Sequence, residues 1–87
     1  MERVRITRTG VGELTLAGWR LEDSDGNFYV FPNLILNEGG SVTVHTARGA
    51  DTVTDLYWGL TTPVWRRGET AVLRDETGAE RARYQIP

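Results

Sequence analysis

Apolar and polar residues alternate along most of this chain. Between Glu2 and Arg8, Val4 and Ile6 fall on one side and Arg3, Arg5 and Thr7 on the other, which predicts a strand with one buried and one solvent face. Thr9-Gly10-Val11-Gly12 ends it. The stretch from Leu14 to Pro32 is the one the rest is organised around. Its two runs, Leu14–Glu22 and Phe28–Phe31, flank Asp25-Gly26 and are expected to pair as a hairpin. Trp19 and Leu21 share one face of the first run, with Arg20 and Glu22 on the other. Tyr29 and Phe31 share a face of the second, opposite Phe28 and Val30, and Pro32 closes it because it lacks a backbone donor. Further strands are expected at Asn33–Asn37, Ser41–Thr46, Asp55–Trp58, Thr70–Arg74 and Glu80–Ile86. Val42 and Val44 point inward on their strand, Thr43 and His45 outward. The last two strands are joined by Asp75-Glu76-Thr77-Gly78. No window carries a sustained helical period. Short strands punctuated by turns every ~8–12 residues predict an all-β sandwich or barrel. Its core is expected to hold Trp19, Leu21, Phe31, Val42, Val44 and Leu73.

Composition narrows the function more than the fold. The chain has 87 residues, enough for one domain over 1–87 that buries about two-thirds of its unfolded surface. No apolar run approaches the ~20 residues of a membrane span, and no basic-then-apolar leader is present. A soluble chain is expected, with its localisation left open. Cysteine is absent, so neither disulfides nor thiolate metal ligands enter. The net charge of −2 argues against a dedicated basic nucleic-acid binder, although all ten basic residues are arginine.

The run Leu16-Ala17-Gly18-Trp19-Arg20-Leu21, then Tyr29-Val30-Phe31-Pro32, then Leu36 to Val44 resembles the lamin tail domain family. The resemblance continues through Asp55-Leu56-Tyr57-Trp58, Val64-Trp65, Gly68 to Leu73 and Asp75 to Gly78. It implies an immunoglobulin-like antiparallel β-sandwich of about seven strands. It also implies a binding, assembly or attachment module, with no catalytic residues to carry over. The sequence departs from the family pattern in three places. Arg8 replaces a common Asn. Arg66-Arg67 stands where Asn-Asn is common, in a turn about one residue short. The family's first strand, upstream of Glu2–Arg8, is expected to be missing.

Candidate chemistry is sparse. Asp23-Ser24-Asp25-Gly26-Asn27 offers hard oxygen ligands but lacks the glycine and bidentate glutamate spacing of a calcium loop, so it reads as a turn. His45, the one histidine, is expected to face solvent and cannot build a three-ligand zinc site. Ser24 and Ser41 sit at a turn and a strand start, without a nucleophile elbow. No enzyme, metal or cofactor is expected. Trp58 and Trp65 flank a loop; the expectation is that at least one is buried, and an exposed ring would offer a carbohydrate or cell-surface platform. The arginine pairs Arg3/Arg5, Arg66/Arg67 and Arg81/Arg83 can bind carboxylate or phosphate. The favoured function is therefore a non-catalytic interaction or assembly module with a protein partner: a host chain, a second copy or a larger assembly. It would work through sheet faces or through an open edge at Arg3, Val4 and Arg5 or near Tyr84. The alternative is a nucleic-acid-binding accessory domain using the arginine faces.

Overall fold

The computed structural model describes residues 2–87. It contains nine strands and no helix among them: β1 (Arg3–Thr7), β2 (Leu14–Thr15), β3 (Arg20–Glu22), β4 (Phe28–Val30), β5 (Ile35–Leu36), β6 (Ser41–His45), β7 (Asp55–Tyr57), β8 (Thr70–Arg74) and β9 (Glu80–Gln85). They form sheets of order β1-β6-β7, β2-β5 and β4-β3-β8-β9. The chain divides into two compact units, Met1–Thr15 with Leu34–Pro63 and Leu16–Asn33 with Val64–Pro87.

The first unit holds the β1-β6-β7 and β2-β5 sheets. β1 pairs antiparallel with β6, setting Val4 opposite Val44 and Ile6 opposite Val42. This is the register that strict alternation favours, because a one-residue slip would turn every apolar side chain of β1 to solvent. Leu36, Val42, Val44 and Leu56 are buried, and Val4 and Ile6 half-buried. β7 pairs with β6 in parallel, Thr43 opposite Asp55 and His45 opposite Tyr57.

The second unit is the four-stranded sheet. β3 and β4 form the expected hairpin, with Leu21 opposite Tyr29. Phe31 N–H donates to the Trp19 carbonyl at 2.8 Å, so the pairing runs one step beyond the strands. Leu16, Trp19, Leu21, Phe31, Val64, Ala71 and Leu73 are buried here.

The expected continuous strand Leu14–Glu22 is in fact two. Trp19 N–H donates to the Leu16 carbonyl at 2.9 Å, and Gly18 sits at φ +78°, a conformation other residues rarely adopt. That turn sends Leu14–Thr15 to pair with β5 and Arg20–Glu22 to pair with β4. The split turns the eight runs read from the sequence into the nine strands found among the described residues.

The hairpin turn also differs from a two-residue Asp-Gly turn, which needs positive φ at both positions. Only Gly26 has it, at +91°. Asp23 N–H donates to the Asn27 carbonyl at 3.0 Å, and Asp23 Oδ1 accepts from the Asp25 and Asn27 amides. The β8–β9 turn repeats this plan. Asp75 N–H donates to the Ala79 carbonyl at 2.9 Å, and Asp75 Oδ1 accepts from the Thr77 and Ala79 amides.

Candidate functional site

The edges of the sheets are where this fold offers chemistry. In an antiparallel pair, residues alternately direct both backbone groups toward the partner or away from it. For β1 two bonds fix the phase: Arg8 N–H donates to the Gly40 carbonyl at 2.9 Å, and Thr46 N–H donates to the Glu2 carbonyl at 3.3 Å. Residues 2, 4, 6 and 8 therefore face β6, and Arg3, Arg5 and Thr7 turn their N–H and C=O groups outward. β1 is the end strand of its sheet, so those outward groups meet no strand among the described residues.

The other edges are covered, interrupted or short. Along the outer side of β7, Tyr57 N–H donates to Asp51 Oδ1 at 2.9 Å and Asp55 N–H to Thr52 Oγ1 at 3.1 Å. The Asp55 carbonyl accepts from Thr52 N–H at 2.8 Å, so the preceding loop covers this edge. β9 is interrupted by a register shift opposite Leu73 and Arg74, and it carries the Arg83–Glu80 pair at its margin. Bulges and charges of this kind discourage pairing. β4 is three residues long. β1 is five residues long, regular, and covered by no strand among the described residues.

The side chains of the open edge are equally distinctive. Arg3, Arg5 and Thr7 are exposed, while Val4 is half-buried and directs its backbone to β6. The Thr7 and Ser41 hydroxyls lie 3.0 Å apart. Arg3 stands opposite His45 and Arg5 opposite Thr43, so neither faces a carboxylate across the ladder.

The remaining arginine candidates are engaged elsewhere. Arg66 Nη2 donates to both Asp25 carboxylate oxygens. Arg81 lies 5.2 Å from the Trp19 ring centre and 3.3 Å from Asp75. Arg83 Nε donates to Glu80 Oε2 at 2.8 Å, which pulls the Glu80 carboxyl below its usual range and raises the guanidinium. Arg67 is exposed in the turn before β8. Trp58 and Trp65 are both half-buried and neither is without a partner. The Asp23–Asn27 loop closes on its own donors, with Asn27 Nδ2 donating to Asp23 Oδ2 at 2.7 Å and Arg66 as the counter-ion of Asp25.

His45 does not face solvent as alternation predicts. Its side chain is 16% exposed, its Nε2 lies 2.8 Å from Asp55 Oδ1, and its ring stacks on Tyr57 at 4.6 Å. The parallel pairing with β7 covers it, and nothing in the local sequence announces that pairing. The Asp55 carboxyl is lowered by the bond to His45 and by the Thr54 hydroxyl. A recess of about 560 Å³ near this end of the sheet is lined by Glu2, Thr46, Ala47 and residues 60–63. Glu2 is the one titratable group lining it among the described residues, and its Oε1 accepts from the Thr46 hydroxyl at 2.9 Å.

The described residues form an all-β chain of short paired strands. The lamin tail domain family matches residues 2–87, and the chain belongs to that family. The family is immunoglobulin-like, generally non-enzymatic, and mediates protein interactions. No curated protein matches the chain. No helix among the described residues is long and apolar enough to cross a membrane.

Proposed function

We propose that residues 1–87 act as one non-catalytic lamin tail domain that docks on another protein by accepting a strand at the outer edge of β1. Each of the two units is built from two separated segments, so no single cut in the sequence divides them, which supports treating the chain as one module. The observation that carries the docking mode is the contrast among edges. β7 is covered by its own loop, β9 carries a register shift and the Arg83–Glu80 pair, β2, β4 and β5 are two or three residues long, and β1 is an uninterrupted five-residue edge with outward backbone groups. Such a row is the template on which extended segments bind, with main-chain hydrogen bonds supplying affinity.

Amide exchange read by NMR tests this. In the isolated chain the amides of Arg3, Arg5 and Thr7 should exchange much faster than those of Val4 and Ile6, and an added β-forming peptide should slow them. Arg5→Pro removes an outward donor while leaving the ladder to β6 intact, because proline is tolerated at an open edge. It should abolish peptide binding and leave the melt within a few degrees of the parent. Equal protection of all five amides in the isolated chain would show the edge already covered and overturn the reading.

A further inference from the structure

We propose that the strand accepted at β1 is acidic, with carboxylates at alternate positions placed opposite Arg3 and Arg5. This rests on the strand-addition reading above and names the chemistry of its occupant. Arg3 and Arg5 lie two apart on one strand, so both side chains project from the same sheet face. Both are exposed, and neither makes an ion pair among the described residues. Their neighbours on β6, His45 and Thr43, bring no negative charge. The acid in register with Arg5 one strand further on, Asp55 of β7 opposite Thr43, is engaged by His45 and Thr54.

A strand laid along β1 would place its residues directly opposite Arg3 and Arg5 as hydrogen-bonded pairs, within reach for cross-strand charge pairing. Asp or Glu at both positions would satisfy two cations that the fold leaves open. Guanidinium suits this role because its planar fork binds carboxylate in a bidentate way. Thr7, whose hydroxyl already contacts Ser41, asks only for a polar neighbour at the next alternate position.

The same strand disfavours the obvious competitor, a second copy of this chain. Fully overlapped antiparallel β1–β1 pairing would set Arg5 against Arg5 and Arg3 against Thr7, and like charges directly opposite are destabilising. β9 carries Arg81 and Arg83, and β4 reads Phe-Tyr-Val, so neither supplies alternating acids. Arg5 thus disfavours self-pairing and, with Arg3, admits acidic strands, as specific interfaces commonly do.

The test uses the full chain and three short peptides alternating Thr with Glu, Gln or Lys. The Glu peptide should bind and slow the amides of Arg3, Arg5 and Thr7. The Gln peptide should bind roughly five- to tenfold more weakly, as two cross-strand ion pairs are lost, and the Lys peptide more weakly still. Raising salt should narrow these differences. The double variant Arg3→Glu with Arg5→Glu, checked by thermal melting, should reverse the order and prefer Lys. Equal affinity for Glu and Gln peptides, both protecting the edge, would overturn the acidic occupant and leave strand addition standing. A Glu peptide that binds without slowing those amides would overturn strand addition itself, as would the absence of binding by all three. An oligonucleotide that displaces the Glu peptide and binds more tightly would assign these arginines to phosphate instead.

Discussion

Asp75 shows how much of this molecule is held by single polar side chains. Its carboxyl is lowered from 3.8 to about 2, chiefly because the Thr77 hydroxyl donates to it at 2.6 Å, with the Thr77 and Ala79 amides and Arg81 adding to the effect and burial opposing it. A carboxyl depressed in the folded state stabilises the fold above its unfolded value, and that stability fades as pH falls toward about 2. Asp75→Asn keeps the shape and removes the titration. Thermal melts should therefore place the variant furthest below the parent at neutral pH, with the gap closing as pH approaches about 2. A gap independent of pH would contradict this role. Trp19 matters through size instead. It is 3% exposed and capped by Arg81, so Trp19→Ala is expected to cost about 3–5 kcal/mol in denaturant unfolding. That is a large part of the stability of a small domain.

At the scale of elements, legibility follows locality. β1 and β6 stand out because strict alternation over five residues with one apolar face fits a half-buried strand and little else, and β8 because a short apolar run lies between turn signals. The Leu14–Glu22 run misleads because Leu16, Trp19 and Leu21 are all apolar across a turn, and Gly18 is the one residue marking the break. The β6–β7 pair is hidden entirely. Parallel pairing depends on contacts across the loop of residues 46–54, and no local pattern distinguishes His45 bonded to Asp55 from His45 in water. The open edge is half legible: Arg3 and Arg5 are visible as an outer face, but their outward backbone phase follows only from the bonds at Glu2 and Arg8. The closed edge gives an independent test. Asp51→Ala should leave Tyr57 N–H without its acceptor, and that amide should exchange about fivefold faster by NMR while Leu56, bonded toward β6, is unchanged. Unchanged exchange at Tyr57 would mean the loop does not cover β7.

For the whole molecule, the decisive quantity is how its ten arginines are distributed against twelve acids. Arg20, Arg66, Arg74, Arg81 and Arg83 lie against Glu22, Asp25, Asp75 or Glu80. Arg8 donates to the carbonyls of Val11 and Gly12, which ties it to its own loop. A nucleic-acid phosphate would have to displace a carboxylate at each paired arginine, exchanging one anion for another with little gain. Arg48 and Arg67 are exposed singly in loops, and Arg3 and Arg5 are left as a pair at alternate positions on one strand face. Binding to a single strand releases about 0.7 counterions per phosphate contacted, so two contacts give a salt slope of only about −1.4. Binding of a single-stranded oligonucleotide should then be weak at low ionic strength and undetectable at physiological salt. Arg3→Ala with Arg5→Ala should remove what remains, while Arg66→Ala with Arg67→Ala should change little. A slope steeper than about −4, persisting in the Arg3/Arg5 variant, would require a phosphate-binding surface built from the arginines now paired with acids. It would move the protein's function from strand capture to nucleic acid.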